Sequence, residues 1–394
     1  MISPTSGPAV RPTRVAILGS TGSIGCSTMD VVRNLHGRCV ITALAAARSW
    51  EKLAQQALET RPRVVGFGAD DAPATANLRK ALHGSGIVID DRPDALVRMV
   101  QRDDVDTVVA AIVGAAGLPA VLAAVERGCC VALANKEALV VAGSLVMPAA
   151  TRHGASIVPV DSEHSAVFQS LRSGREVEIQ KIILTASGGP FRTWPAEKMR
   201  NATIAEALAH PNWKMGPKIT IDSATMMNKA LEIIEAHWLF GLPAEKIEVV
   251  IHPQSIVHSM IEFVDGSVIA QLGTPDMRTP IQYALTHPER HAGCSTRLDW
   301  SKISEMTFQQ ADGRFPALDL GYRVVRLGGT AGAVFNAANE EANAQFRAGR
   351  ITFGEIVERV ERVLRTHEQT NFITTPDLGD LLHADAWARQ EITA

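Results

Sequence analysis

Asp161 and Glu163 stand two residues apart in PVDSEHSA (159–166), directly after the apolar run IVPV (157–160). In extended chain alternate residues point to the same side, so this spacing predicts two carboxylates facing one space. Two anions held that close repel unless a cation or a proton lies between them. An oxygen-only set suits a hard divalent ion, Mg2+ or Mn2+, with water or substrate at the open positions. His164 is adjacent and need not be a ligand. The competing reading is a helix start, with Asp161 or Ser162 as cap and Glu163 in the first turn.

A second stretch, KITIDSATMMNKALEIIEA (218–236), offers a third carboxylate. Its pattern predicts a helix from Ala224 or Thr225 to about Phe240, stopped by Gly241 and Pro243. Asn228, Glu232 and Glu235 fall near one face, and Lys229 precedes Glu232 by three. Spacing alone leaves Glu232 and Glu235 equal as the metal ligand. LTASGGPF (184–191) sets Ser187 beside two glycines at a strand end, and Ser223 stands just before the expected helix. Hydroxyls, backbone N–H groups and Lys229 could surround a phosphate dianion. Each serine alone also fits a plain turn or cap. Between them lies HPNWKMG (210–216), with Trp213 between two turns and flanked by Lys214 and Lys218. It reads as a lid that keeps water from a reacting group, or as an anchored surface loop.

Elements must hold these side chains in place. RVAIL (14–18) predicts a strand, GSTGSIG (19–25) a tight turn, and Ser27–Leu35 a helix. In such a unit Gly19 allows the bend, Gly22 lets the backbone approach a pyrophosphate, and Gly25 lets the helix sit close to the sheet. The helix start offers free N–H groups to the phosphates. GxxGxxG is looser than the usual GxGxxG. After the second strand, VITALA (40–45), no acid is available for a free ribose hydroxyl; Arg48 and Ser49 stand there instead, which favours NADP. RVVGFG (63–68), GIVID (86–90), DTVVAAIV (106–113) and CCVALAN (129–135) continue the alternation, with helical stretches between. This order predicts a mostly parallel sheet covered on both faces. Asn135, Lys136 and Glu137 close a strand, where open α/β sheets bind ligands.

The chain has 394 residues, 46% hydrophobic, with a formal charge of −3. That length predicts two or three domains. The charge argues against a nucleic-acid binder, whose affinity rests on concentrated positive charge. Five cysteines without a CxxC pair read as free thiols of a cytoplasmic protein. The amino-terminal stretch MISPTSGPAVRPTR is a polar arm without an apolar signal core. Residues 107–125 are uncharged and nearly long enough to span a bilayer, but Gly114, Gly117 and Pro119 interrupt them. A buried strand, loop and helix explain the run better than a membrane segment.

With these residues in view, the chain resembles the 1-deoxy-D-xylulose 5-phosphate reductoisomerase family along its whole length. GSTGSIG, ALANKEALV, PVDSEHSA, LTASGGPF, HPNWKMG, DSATMMNKALE and HPQSIVHSM occur in the family's order and spacing. The resemblance implies an NADPH-dependent enzyme of isoprenoid biosynthesis with one divalent cation per site. It would convert 1-deoxy-D-xylulose 5-phosphate to 2-C-methyl-D-erythritol 4-phosphate by rearrangement, most simply retro-aldol cleavage and rejoining, and then reduction. It implies Asp161, Glu163 and Glu232 as metal ligands. Ser187, Ser223, Asn228 and Lys229 match the phosphate set, and Ser162 a contact to the substrate's oxygens. Lys136 matches a positive group near the metal, and His210, Trp213 and Met215 the lid. His258 matches a histidine of the active-site region. Gly19, Thr21, Gly22, Ser23, Ile24 and Gly25 match the nucleotide loop, with Arg48 and Ser49 in the 2′-phosphate region. The architecture implied is an α/β chain: a Rossmann-like nucleotide domain (1–160), a central α/β catalytic domain that also forms a homodimer (161–286), a linker (287–315) and a C-terminal helical bundle (316–394). The rival reading, a homoserine- or semialdehyde-type dehydrogenase, needs no Asp-x-Glu plus helical Glu. A second rival binds NADPH on the same fold without consuming it.

Overall fold

Seven short apolar runs build one all-parallel sheet. The description covers residues 11–68, 71–211, 213, 215–311 and 313–393 of a computed structural model. The amino-terminal arm up to residue 10, and Asn212 and Lys214 of the expected lid, lie outside the described residues. The strands are β1 (Thr13–Leu18), β2 (Cys39–Ala46), β3 (Val64–Phe67), β4 (Val88–Asp90), β5 (Thr107–Ala110), β6 (Cys130–Leu133) and β7 (Ser156–Pro159). They lie in the order β4-β3-β2-β1-β5-β6-β7. Helices α1 (Ser23–Asn34), α2 (Trp50–Thr60), α3 (Ala72–Ala81), α4 (Ala95–Val100) and α5 (Leu118–Glu126) connect them. Val15 to Leu18 and Val108 to Ala110 are buried on both faces, which is why these strands read as unbroken apolar runs. The order reverses between β1 and β5, and such switch points open a ligand crevice at the strands' carboxyl ends. The run 107–125 divides into β5, a short turn of helix and α5. Among the described residues no helix is long and apolar enough to cross a membrane.

The helix α6 (Glu137–His153) is interrupted at Ala142 (φ −135°, ψ 28°). Beyond it come α7 (Ser162–Ser170), β8 (Ile179–Ala186), α8 (Ala196–Met199), α9 (Ile204–Ala207), α10 (Pro217–Thr225) and α11 (Met227–Phe240). Strands β9 (Ile247–Ile251), β10 (Val257–Phe263) and β11 (Val268–Leu272) follow, then α12 (Arg278–Thr286) and β12 (Gln309–Gln310). The second sheet has the order β11-β10-β8-β9-β12. It is mixed: β8 and β9 run parallel and its other pairs antiparallel. The chain ends in α13 (Ala317–Leu327), α14 (Ala331–Arg347), α15 (Phe353–Thr370) and α16 (Leu378–Glu391). The architecture is the one expected: a Rossmann-like sheet, a central catalytic region and a helical C-terminal region.

The chain forms two compact units. One comprises 1–134, 149–160 and 277–295; the other comprises 135–148, 161–276 and 296–394. This cut differs from a linear division at 160, 286 and 315. Residues 277–295 return to the first unit because Asn34, at the end of α1, donates to Gln282 Oε1 (3.4 Å) and to the carbonyl of Ala292 (2.8 Å).

One local expectation changes and one open choice is decided. The helix expected from Ala224 is two helices, split at Met226, whose φ of 63° is left-handed. Met226 is only 2% exposed, so packing holds it there, and the Met227 N–H bonds to Thr225 Oγ1 (3.2 Å). Gly216-Pro217 starts the first of the pair, proline being suited to an initial helical position. Ser223 therefore sits inside α10, not ahead of a helix. Of the two readings of Asp161 and Glu163, the helix start is the one observed: Asp161 is the N-cap residue of α7 and Glu163 lies in its first turn, yet Asp161 makes no side-chain capping bond.

Candidate active site

Three carboxylates from two elements meet in the second unit. Asp161 and Glu163 come from the start of α7, and Glu232 from the second turn of α11. Among the described residues two groups bring one ligand atom per residue within 4.8 Å of each other: Asp161, Glu163, Glu232 and Asp161, His164, Glu235. Two ammonium groups neutralise the first. Lys136 Nζ pairs with Asp161 Oδ2 and reaches Glu232 Oε1 at 3.1 Å. Lys229 Nζ reaches Glu163 Oε1 at 2.7 Å and pairs with Glu232 Oε2. Burial opposes the charge on Lys229, but Glu163 and then Glu232 outweigh it and raise its pKa. Burial first, and then Glu163, raise Glu232 to about 7 although Lys136 and Lys229 pull it down. Asp161 moves the other way: burial would raise it, but chiefly Lys136 pulls it below the usual carboxylate range.

The second group has a different character. His164 and Glu235 are both wholly buried. His164 Nε2 lies 2.9 Å from the carbonyl of Glu232, and a carbonyl only accepts, so Nε2 carries the proton. Its bare Nδ1 then faces Glu235 Oε2 at 3.3 Å. Burial lowers His164 to about 4. Burial, then Asp161, raise Glu235 well above its ordinary value. A neutral imidazole beside a protonated carboxyl matches both the contact and the directions. This pair backs the carboxylate cluster from inside.

A glycine turn follows β8. The Ser187-Gly188-Gly189 turn leaves β8 with both glycines left-handed (φ 77° and 61°). A Cβ on Gly189 would stand 2.7 Å from the carbonyl of Ser223, so only glycine lets this turn lie against the end of α10. Ser187 Oγ accepts from the Gly189 N–H (3.2 Å) and meets His210 Nε2 at 3.0 Å. His210 Nδ1 accepts from the Trp213 N–H (3.0 Å), so Nε2 is the donor and the Ser187 hydroxyl keeps its own proton to give. Asn228 and Lys229 open α11 beside this turn. Ser162 donates to Glu163 Oε2 (2.5 Å). Trp213 is half-buried, with its ring 6.5 Å from that of His258 on β10. His258 is buried and its pKa is lowered, by burial first. The backbone carbonyl of Met215 accepts from Thr220 Oγ1 at 3.4 Å.

The glycine loop belongs to the first unit, at the switch between β1 and β5. Gly19 is left-handed (φ 88°), and a Cβ there would stand 2.5 Å from the carbonyl of Ala111, just past β5. Gly19 and Ser20 N–H groups both bond the carbonyl of Ala45 at the end of β2 (2.9 and 2.8 Å). Gly22 is the N-cap of α1 with no side chain to cap it, which leaves the helix's first N–H groups for an anion. Thr21 and Ile24 are half-buried, Ser23 is exposed, and Gly25 packs against the backbone of Ser20. Arg48 and Ser49 are exposed beyond β2. Asn135 caps the start of α6 through Oδ1 to the Ala138 N–H (2.9 Å). Glu137 is buried and accepts from Lys218 (2.9 Å), so its carboxylate is engaged inside the protein.

Sequence reasoning missed several members. Lys52 Nζ donates to the carbonyl of Thr21 (3.0 Å), and Gln56 Nε2 to that of Ser20 (2.9 Å). Both lie one turn apart on α2, a spacing that could have marked them as one face toward the glycine loop. Lys218, read only as flanking the lid, and Asp222 share α10 with Ser223, and their spacing of four could have marked them as a pair.

Family models place the chain. The model for 1-deoxy-D-xylulose 5-phosphate reductoisomerase matches residues 15–143, and two models for that enzyme's C-terminal domain match 157–240 and 272–391. The chain is 50% identical over 376 residues to the 1-deoxy-D-xylulose 5-phosphate reductoisomerase of Chlorobium chlorochromatii, covering 95% of this chain and 97% of that one. The chain belongs to the 1-deoxy-D-xylulose 5-phosphate reductoisomerase family. It is an oxidoreductase that isomerises and reduces that sugar phosphate. The Rhodopirellula baltica enzyme is 48% identical over 95% of this chain and 93% of its own. Among solved structures, a reductoisomerase in complex with NADPH, fosmidomycin and magnesium superposes with a TM-score of 0.91 at 41% identity, covering 97% of each chain. The enzyme from Zymomonas mobilis in complex with NADPH gives 0.90 at 43%, covering 98% of each.

Both groups required by such a reaction fit these residues. Three carboxylates held against two ammonium groups form a hard, oxygen-only donor set suited to Mg2+ or Mn2+. The start of α1, which no side chain caps after the tight turn at Gly19, offers backbone N–H groups to a pyrophosphate.

Proposed function

We propose that Asp161, Glu163 and Glu232 hold the divalent cation, and that Ser187, Ser223, Asn228 and Lys229 hold the phosphate of 1-deoxy-D-xylulose 5-phosphate. The observation that carries this reading is the convergence of the three carboxylates beside the Ser187-Gly188-Gly189 turn. The cation, when bound, supplies Lewis-acid polarisation of the substrate's ketone and hydroxyl oxygens; NADPH supplies the hydride that reduces the rearranged aldehyde to 2-C-methyl-D-erythritol 4-phosphate. Asp161 and Glu163 orient the carbon end of the substrate, with Ser162 beside its oxygens. Lys136 balances the carboxylates, and Ser187, which keeps a proton to donate, anchors the far end. Anchoring both ends holds the fragments through bond cleavage and rejoining. His210, Trp213 and Met215 form the cover that keeps water out, and His258 supports Trp213 from β10.

Residues 19–25 bind the cofactor's pyrophosphate, with Thr21, Ser23 and Ile24 offering backbone groups. Arg48 and Ser49 read its 2′-phosphate, and Asn135 and Glu137 shape the adjoining strand end. Nucleotide binding is thus assigned to 1–160 and catalysis to 161–286, with 287–315 as connection and 316–394 as helical support. Two copies associate as a homodimer; the exposed apolar residues Val268 and Ile269 on the edge strand β11 support this. Five free cysteines support a reducing, cytoplasmic setting.

The deciding assay combines purified enzyme, NADPH, Mg2+ or Mn2+ and 1-deoxy-D-xylulose 5-phosphate, with product identification. Metal-dependent NADPH oxidation yielding 2-C-methyl-D-erythritol 4-phosphate is expected. Glu232→Gln should lower turnover strongly and weaken the metal dependence. Full turnover by Glu232→Gln at low Mg2+ would remove that residue from the ligand set.

A further inference from the structure

An ammonium group has three N–H donors and no acceptor. Lys229 commits all three: to Glu163 Oε1 (2.7 Å), to the carbonyl of Thr185 (2.5 Å) and to Glu232 Oε2. Its side chain is 4% exposed, so water offers no ready substitute. Asn228 is tied as well. Its Oδ1 accepts from Lys136 (2.9 Å) and its Nδ2 donates to Glu232 Oε1. Glu232 therefore engages both helix residues assigned to the phosphate, and Lys229 has no N–H left to give an anion while it holds its three acceptors.

The same carboxylate oxygens are the ones a divalent cation needs. A cation taken up by Glu163 and Glu232 would repel the Lys229 ammonium and withdraw the oxygens it holds. We propose that Glu232 is a latch: cation loading releases Lys229, and the N–H that Asn228 gives Glu232, to the phosphate pocket, so cation and phosphate bind cooperatively. This rests on the ligand assignments of the proposed function and adds a coupling between them. Coupling of this kind is reciprocal: each ligand tightens the other by the same factor.

The test needs no turnover. Mn2+ binding to the full chain is followed by loss of the free-ion EPR signal. Inorganic phosphate binding is followed by calorimetry at fixed ionic strength, without NADPH or substrate. Saturating Mn2+ should tighten phosphate binding about tenfold, within the usual span of coupling between sites. Lys229→Met, checked for folding by circular dichroism, should bind Mn2+ alone several-fold more tightly than the native enzyme, because an internal competitor is gone. Glu232→Gln should bind phosphate without any cation more tightly than the native enzyme does without one. Equal phosphate affinity with and without Mn2+ in the native enzyme would overturn the latch. So would unchanged or weaker Mn2+ affinity in folded Lys229→Met, or no gain in cation-free phosphate binding by Glu232→Gln. Failure of the native enzyme to bind phosphate even with Mn2+ bound would instead overturn the pocket assignment, and the latch with it.

Discussion

Asp222→Ala should destabilise the enzyme severely although Asp222 is assigned to no ligand. Its carboxylate is 1% exposed and accepts from Lys218 Nζ (2.9 Å), Asn343 Nδ2 (2.8 Å) and Asn339 Nδ2 (3.2 Å). These contacts fasten α10 to α14. Removing one partner of a buried ion pair costs about 3–5 kcal/mol. Lys218 would keep Glu137 at 2.9 Å, and Asn343 would keep the carbonyl of Lys218 at 3.0 Å, so the loss should fall near the lower end. An expected loss of about 3 kcal/mol also includes the stranded Asn339 amide, since an unsatisfied buried donor costs about 1–3 kcal/mol. The assay is urea denaturation followed by far-UV circular dichroism, comparing midpoints. Asp222→Asn keeps the shape and one acceptor and should lose about half as much. Because Ser223 is the next residue on α10, Asp222→Asn should raise KM for the sugar phosphate more than it lowers kcat. A loss below about 1 kcal/mol for Asp222→Ala would refute the reasoning, since burial of a bonded charge could then not be what fixes α10.

Gly25→Ala would drive a Cβ into the backbone of Ser20, so NADPH affinity should fall while Mn2+ affinity is retained; dialysis of each ligand against the folded variant checks this. Arg48→Ala should narrow the preference for NADPH over NADH, read as the ratio of kcat/KM values; an unchanged ratio would assign the 2′-phosphate to another cation. Asp106 is held at about 2, against an ordinary 3.8, chiefly by its hydrogen bond from Arg14. A depressed carboxylate stabilises the fold above its unfolded pKa and loses that contribution as pH falls through the folded one. Denaturation midpoints of the native enzyme should therefore drop between about pH 4 and pH 2 more steeply than those of Asp106→Asn. The pair is partly exposed, so the difference should be small and should shrink in salt.

The first sheet was legible because burial on both faces leaves a strong trace in sequence. Val15–Leu18 and Val108–Ala110 could hardly be anything but central strands, and the glycine loop announced where the sheet switches. The clustered carboxylates were legible as residue types but not as geometry. For Asp161 and Glu163 the sequence allowed extended chain or a helix start, and they stand at a helix start. The helix carrying Glu232 begins after a left-handed methionine, a conformation no local preference suggests and tertiary packing imposes. Spacing could not separate Glu232 from Glu235. The distinction lies in contacts with distant residues: Lys136 and Lys229 surround the first, and His164 faces the second. The same holds for Asp222, whose partners on α14 lie more than a hundred residues away in sequence. Long-range polar pairing leaves no periodicity to read.

Two candidate clusters share Asp161, and one experiment separates them. Crystals soaked in Mn2+ and measured at the manganese absorption edge locate the ion by anomalous scattering. The account predicts a single peak between Asp161, Glu163 and Glu232, with the Lys229 ammonium withdrawn from Glu232. A peak between Asp161, His164 and Glu235, or none near Asp161, would contradict it.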